Sequence, residues 1–373
     1  MPKIAPSFSN KLVLWYLQNK RDLPWRSTRN PYYIWLSEIM LQQTRVAQGL
    51  PYYLKFTETY PKVQDLAAAP EDEVLKLWQG LGYYSRARNL HATAKIVSEQ
   101  LNGIFPNKYK DLLKLKGVGD YTASAIASIC FNRAEAVVDG NVYRVLARVF
   151  GIATPINTTQ GQKEFKAHAQ QLINASQPGT YNQAIMEFGA RHCTPQKPDC
   201  ANCIFQNNCA ALQNNTVAEL PVKLKSKPVK KRHFNYIVML SENKKTLLQQ
   251  RTGKGIWQQL YEFPLVETPE ETSLNNLKKL PQFKKLTKNL KVESITLYNE
   301  KPVVHKLSHQ HLHTKFWIVE VVETFKSAIP ISEIDSYAVP VLIENFVSEF
   351  FETYNSNESI RSSRLNSQEI ISD

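Results

Sequence analysis

Leu112 to Arg148 reads LLKLKGVGDYTASAIASICFNRAEAVVDGNVYRVLAR, and this stretch decides the fold. Apolar Leu112, Leu113 and Leu115 suit a short helix, which breaks at Gly117-Val118-Gly119. A second helix follows at once, and its small residues Ala123, Ala125 and Ala127 allow another helix to approach closely. Two glycines around one apolar residue make a tight helical hairpin in which positive φ is easy. The first N–H groups of the second helix lack intrahelical partners, and a helix start carries partial positive charge. Gly117, Val118 and Gly119 therefore form a natural seat for a phosphate. Further on, Asp139 closes the apolar run Ala136-Val137-Val138 just before Gly140. Gly-x-Gly alone, or Asp-Gly-Asn alone, is an ordinary turn. Their joint order, a lone carboxylate following a phosphate cradle, points to chemistry on a nucleic acid.

The rest of the chain sets the frame. Its 373 residues suffice for two domains with real cores. A formal charge of +13 and a pI of about 9.3 favour a polyanionic partner. Lys and Arg are spread along the chain, which suits a broad binding face better than a basic tail. No apolar stretch is long enough to span a bilayer, and residues 1–10 lack the apolar core of a secretory signal. A cytoplasmic, monomeric protein with no membrane partner is expected.

Two stretches before the hairpin carry chemistry. After Asn30-Pro31, a good helix start, comes YYIWLSEIMLQQTRV, expected to be one continuous helix. From Ile34 to Leu41 only Ser37 and Glu38 are polar, and Glu38 shares a helical face with Ile34, Leu41, Gln42 and Arg45. An acid in an apolar run is paired or useful. Trp78 to Arg88 reads WQGLGYYSRAR. Its glycines, tandem tyrosines and two arginines suit holding a DNA backbone and wedging a ring into a base stack. The bland alternatives are a buried ion pair for Glu38 and core packing for one tyrosine.

Four of the five cysteines crowd together as Cys193, Cys200, Cys203 and Cys209. In a reducing compartment such a crowd reads as metal ligands. Structural zinc sites usually have two close ligand pairs, whereas here only Cys200 and Cys203 are close. The irregular spacing suits a [4Fe–4S] cluster better. Lys197, between Pro195 and Pro198, sits where a loop tip can meet a phosphate or simply be solvated. Cys130 reads as a small buried hydrophobe.

Residues 1–212 read as one mainly helical domain, with the cysteine loop at 193–209, and residues 213–232 as a basic, proline-interrupted linker. Residues 233–354 read as α+β, with strands at FNYIVML, TLLQQ and KFWIVEVVE and a terminal helix at VLIENFVSEFFETY. Residues 355–373 lack periodicity and read as a disordered tail. His309, His311 and His313 alternate, as on one face of a strand; a face that meets DNA is the better reading than a zinc site.

In order and spacing, the Glu38 helix, GLGYYSRAR, KGVGDYTASAIAS, VVDGNVYRV and the cysteine loop resemble the helix-hairpin-helix DNA glycosylase superfamily over about Asp22 to Cys209. The version with LSEIMLQQTRV resembles the MutY-type adenine DNA glycosylases, which remove adenine mispaired with 8-oxoguanine or guanine. The resemblance implies a six-helix barrel module plus an iron–sulfur module, followed by a Nudix-like domain that reads the 8-oxoguanine. It makes Glu38 the general acid and sets Asp139 against the sugar, stabilising charge or attacking C1′. It has Tyr121 and Asn141 supporting the water, the sugar or Asp139. Arg26 and Glu187 then position the flipped adenine, and Gln42, Gln43, Thr44, Leu81 and Tyr83 fill the stack around the lesion pair. Ser308 and His309 match a Phe-Ser-His loop that recognises 8-oxoguanine, with Leu307 in place of the Phe. Endonuclease III-type enzymes carry a Schiff-base lysine where this chain has Tyr121, so a monofunctional enzyme is implied. Tyr121 and the extra domain speak against the endonuclease III-like alternative of a pyrimidine-lesion lyase. Glu38 and Asp139 in apolar runs speak against a non-catalytic iron–sulfur DNA sensor. The pairs of acids that hold magnesium in Nudix hydrolases are missing after Gly255, so no pyrophosphatase is expected.

Overall fold

A computed structural model describes residues 4–225, 228–322 and 325–351. The stretch 355–373, read as a disordered tail, lies outside them. The described chain divides into two compact units. One is built from the chain up to Ala69 and again from Arg86 to the linker; the other takes Pro70–Ser85 and the chain beyond the linker.

The first unit is helical. At its centre lies the helix Pro31–Met40, where Ile34, Trp35, Leu36, Ile39 and Met40 are all buried. Burying a large apolar side chain stabilises by roughly 1.5–3 kcal/mol, so a helix apolar on every face is driven to the middle. Asn30 starts it by accepting from the Tyr32 N–H at 2.9 Å, with Pro31 at the first position. It ends at Met40, not beyond Arg45 as the sequence suggests. Arg86 Nη1 donates to the carbonyls of Ile39, Met40 and Gln42 at 2.6–3.0 Å, so one buried guanidinium closes the helix C-terminus. Arg86, expected to grip DNA, is thus a cap within the protein. The turn that follows puts Gln43 at φ +56°, so Gln42, Gln43 and Thr44 stand off the helix that holds Glu38.

The Pro31–Met40 helix packs on the helix Asp120–Phe131, which in turn packs on Pro178–Arg191. Pro178–Arg191 also meets Ile4–Asn19 and Gly140–Phe150. A Cβ at Gly189 would lie 2.7 Å from that of Asn141, so this glycine lets the start of Gly140–Phe150 approach closely. Within the stretch 213–232, Leu220 joins the first unit's core and the Val222 carbonyl accepts from Ile156 N–H. Lys230 to Arg232 already belong to the first strand of the second unit.

The second unit centres on two long strands. Lys230–Ser241 pairs in parallel with Gln310–Val321 and antiparallel with Leu265–Thr268. Gln310–Val321 also pairs antiparallel with Val292–Leu297 and Val303–Lys306. The central run Phe234–Leu240 is buried on both faces, as a covered sheet requires. Residues 341–351 form a helix whose Phe346 stacks on Phe316, centroids 4.0 Å apart.

Candidate active site

The hairpin forms as its sequence requires. Gly117 has φ +77°, and a Cβ there would lie 2.7 Å from Asn89 Cβ. Gly119 differs from expectation: it is extended at φ −91°, and the space beside it is open. Val118 is buried and anchors the turn between them. Gly119 precedes the first residue of Asp120–Phe131, and no side chain caps that helix start. Its free N–H groups remain available to an anion.

In the first turn of this helix, Tyr121 reaches Glu38. The Glu38 side chain is buried, and its pKa is pushed up from 4.5 to about 7. Burial is the main cause; a hydrogen bond with Tyr121 works against it, the charge of Asp139 adds to it, and Arg26 opposes it. The single Tyr121 hydroxyl proton points to Met186 Sδ at 3.2 Å. Burial and the two neighbouring carboxylates hold the Tyr121 phenol protonated, well above its ordinary range.

Asp139 caps the helix Gly140–Phe150. Its Oδ1 accepts from the N–H groups of Asn141 (2.9 Å) and Val142 (2.8 Å), and its Oδ2 from Asn141 Nδ2 (2.8 Å). Burial pushes the Asp139 pKa up, and these donors hold the rise in check. Asn141 Oδ1 in turn accepts from Arg144 Nη2 at 2.8 Å, while Arg144 Nε donates to the Cys193 carbonyl at 2.7 Å. Sequence reasoning missed Arg144: nothing in VYRVLAR separates it from a solvated arginine.

Glu187 is buried between two guanidiniums. Arg21 donates Nε and Nη2 to it at 2.8 and 2.6 Å, and Arg26 donates Nη2 at 2.6 Å. Burial raises its pKa, but the two arginines outweigh burial and bring it down to about 2. Arg21 went unread because a basic residue beside Lys20 looks like surface charge. Glu38, Tyr121, Asp139 and Arg26 are thus electrostatically coupled, and Arg26 also pairs with Glu187. Gln42 joins from the turn, donating Nε2 to Thr122 Oγ1 at 3.1 Å; Thr44 Oγ1 accepts from Arg86 at 3.3 Å.

The cysteine loop lies on the same unit. Burial and the neighbouring thiols raise Cys193, Cys200 and Cys203, so the sulfurs feel one another. Arg148 Nη1 donates to Cys193 Sγ at 3.5 Å and the Phe205 N–H to Cys203 Sγ at 3.4 Å. Donors aimed at sulfur suit thiolate ligands. Among the described residues no group of His, Cys, Asp or Glu is gathered for a metal ion. Lys197 is exposed at the tip with φ +46°.

In the second unit, Leu307 N–H donates to the Gln310 carbonyl at 2.9 Å, closing a tight hairpin with Ser308 and His309 at its exposed tip. Tyr83 Oη is 2.8 Å from Ser308 Oγ, across 225 residues of sequence. Tyr83 is 47% exposed, whereas Leu81 is 3% exposed and packs inward. His313 stacks on His233 of the neighbouring strand, centroids 5.1 Å apart.

Residues 36–174 match the HhH-GPD superfamily of base excision DNA repair proteins, and residues 235–349 match the NUDIX domain. An adenine DNA glycosylase of Buchnera aphidicola subsp. Baizongia pistaciae is 35% identical over 314 residues, covering 84% of this chain and 86% of the relative. This chain belongs to the adenine DNA glycosylase family. The mouse adenine DNA glycosylase is 48% identical over 216 residues, 56% of this chain and 42% of the mouse protein. Among solved structures, a thermostable thymine-DNA glycosylase superposes with a TM-score of 0.53 at 31% identity, covering 56% of this chain and 97% of its own. Endonuclease III in a non-covalent DNA complex gives 0.50 at 22% identity, over 58% and 98%, a likeness of fold. The family assignment makes this chain an adenine DNA glycosylase of base excision repair that acts on DNA. No helix among the described residues is long and apolar enough to cross a membrane.

Proposed function

We propose that this glycosylase acts as a monomer on adenine paired with 8-oxoguanine or guanine, hydrolysing the N-glycosidic bond without cutting the strand. The observation that carries the reading is the buried Glu38 carboxyl, raised to about 7, in hydrogen-bonding contact with Tyr121 and coupled to Asp139. A general acid works best with a pKa near the working pH. The target base leaves the stack to reach it, guided by Arg26 and by Glu187 as its fixed partner. Glu38 delivers its proton to adenine N7, so the base departs neutral with the electron pair of the broken N9–C1′ bond. Asp139 meets the positive charge that develops at C1′. Water then adds to C1′, and its proton returns to Glu38. The proposed chemistry parallels sugar cleavage by two carboxyl groups, one giving a proton and the other meeting the positive charge. Tyr121 holds Glu38 and supplies no amine, so no Schiff base forms.

DNA backbone contacts fall to Gly117, Val118 and Gly119 and to Lys197. Cys193, Cys200, Cys203 and Cys209 would hold a [4Fe–4S] cluster, whose part is to order the loop that presents Lys197. The direct test incubates the protein with duplexes carrying adenine opposite 8-oxoguanine. Strand breaks that appear only after hot alkali are expected. Breaks of equal yield without alkali would overturn the monofunctional reading, and intact DNA after alkali would overturn the substrate.

Lesion reading falls to Ser308 and His309, with Tyr83 of the same unit filling the stack, while Gln42, Gln43 and Thr44 meet DNA from the first unit; Leu81, also expected in the stack, is buried and packs inward instead. The Tyr83–Ser308 contact supports this assignment, because it joins a ring fit for stacking to a hydroxyl fit for a base edge. 8-Oxoguanine differs from guanine by an O8 acceptor and an N7–H donor, and a hydroxyl can both donate and accept. One such hydrogen bond is worth about 0.5–1.5 kcal/mol, up to about tenfold. Ser308→Ala is expected to lower the preference for 8-oxoguanine over guanine by about that factor. Tyr83→Phe, which keeps the ring, should lower it less. Single-turnover rates and Kd on both mispairs at one fixed salt concentration measure this. An unchanged ratio in Ser308→Ala would remove Ser308 from lesion reading.

A further inference from the structure

The segment before Asp139 is irregular yet partly buried. Residues 132–139 form neither helix nor strand: Asn132 is left-handed at φ +52°, the Glu135 N–H donates to the Arg133 carbonyl at 2.8 Å, and Ala136 and Val137 are nevertheless buried. Buried backbone groups must find partners. Here side chains supply them. Gln170 Oε1 accepts from the Ala136 N–H at 3.0 Å, and Gln170 Nε2 donates to the Ala134 carbonyl at 2.5 Å. Lys166 Nζ donates to the Ala136 carbonyl at 2.7 Å. From the opposite side, Asn182 Oδ1 accepts from the Val137 N–H at 3.2 Å, and Asn182 Nδ2 donates to the Glu135 carbonyl at 2.8 Å. Lys166 and Gln170 are four residues apart on the helix Thr159–Leu172, hence on one face. Asn182 comes from Pro178–Arg191 and is anchored by Ser128 Oγ at 2.8 Å.

Lys166 does more than replace a ladder bond. Its Nζ also reaches Asp120 Oδ2 at 3.0 Å and Ser124 Oγ at 2.9 Å. Asp120 is the first residue of the helix that carries Tyr121. One ammonium therefore ties the helix of the Glu38 partner to the segment that ends in Asp139. We propose that Lys166, Gln170 and Asn182 are positioning residues of this glycosylase, a side-chain ladder that fixes where the Asp139 carboxylate stands relative to Tyr121 and Glu38. The proposal rests on the catalytic role assigned to Asp139 above.

The ladder makes a separable prediction. Asn182 is fully buried, so its removal endangers folding; Lys166 is partly exposed and Gln170 exposed, so they serve as probes. In Lys166→Met and Gln170→Ala, the single-turnover rate of adenine release should fall about tenfold, the size of one lost 1.4 kcal/mol positioning contact. The mispair Kd should stay within about twofold of the parent. Lys166→Arg, which keeps donors at that place, should recover most of the rate. Independently of activity, amide hydrogen exchange at Val137, Asn141 and Val142 should quicken in both probes, because the last two N–H groups are held by Asp139 itself. Faster exchange with an unchanged rate would show that the ladder sits at Asp139 but that the carboxylate is not needed, a failure of the catalytic reading. Unchanged exchange would overturn the ladder. A weaker Kd, with the salt slope reduced by about one and the rate unchanged, would make Lys166 a phosphate contact and overturn the proposal.

Discussion

Glu38→Gln is expected to slow adenine release by a hundredfold or more while mispair binding stays near the parent value. The amide keeps the shape and a hydrogen bond to Tyr121, but it has no proton to give; losing a general acid costs about a hundredfold to ten-thousandfold. The pH dependence of the parent follows from the same group. With a pKa of about 7, Glu38 is mostly protonated below pH 6 and mostly ionised above pH 8. The parent rate should be level on the acid side and fall about tenfold per pH unit above 7. Stability moves the same way. Folding raises this pKa from 4.5 to about 7, so the folded state binds the proton more tightly. The parent therefore loses stability as pH rises from 4.5 to 7, by about 3 kcal/mol in all. Glu38→Gln escapes that loss and should be more stable than the parent at pH 8, though inactive. Single-turnover rates and denaturant midpoints from pH 5 to 9 give both curves. A variant with near-parental release, or a parent whose rate rises through pH 7, would take Glu38 out of the acid role.

Much of the helical unit's local structure was legible because single residues there make demands that sequence displays. Gly117 needs positive φ, Glu38 stands in an apolar helix, and Asp139 precedes a helix start: each is a local conflict or demand that sequence displays. What stayed hidden is what only tertiary structure joins. Arg86 closes a helix more than 40 residues earlier, and Arg21 shares Glu187 with Arg26 across 166 residues. An arginine looks the same in sequence whether it caps carbonyls, binds a buried acid or meets DNA. The end of the Pro31–Met40 helix was misread for a related reason. LQQTRV continues the pattern well, and Arg86, not a local breaker, takes the carbonyls where it stops. The membership of Pro70–Ser85 in the second unit is likewise invisible in a linear reading. The segment before Asp139 shows the same limit: the sequence displays the apolar run Ala136-Val137-Val138, and nothing in it says that side chains of two helices will satisfy the backbone there.

Asp139→Asn is the second substitution of large expected effect, and its value lies in what it keeps. Asn caps a helix about as well as Asp, so its Oδ1 can still accept from Asn141 and Val142 N–H. The other oxygen becomes an NH2 group facing Asn141 Nδ2, where a 2.8 Å hydrogen bond stood. Two donors then oppose each other. Asn141 cannot simply turn its amide over, because its Oδ1 is engaged by Arg144 Nη2 at 2.8 Å. The local cost is about 1 kcal/mol, one lost hydrogen bond, and the fold stands. The negative charge, however, is gone. Removing one group that stabilises a developing charge costs about a hundredfold to a thousandfold in rate. Asp139→Ala should be as slow and also lose the cap, a further ~1 kcal/mol of stability. The pair separates charge from architecture: equal rates with unequal thermal midpoints are expected. If Asp139→Asn released adenine within tenfold of the parent while Asp139→Ala did not, the carboxylate would act only as a cap, and the charge at C1′ would have to be met by some other group.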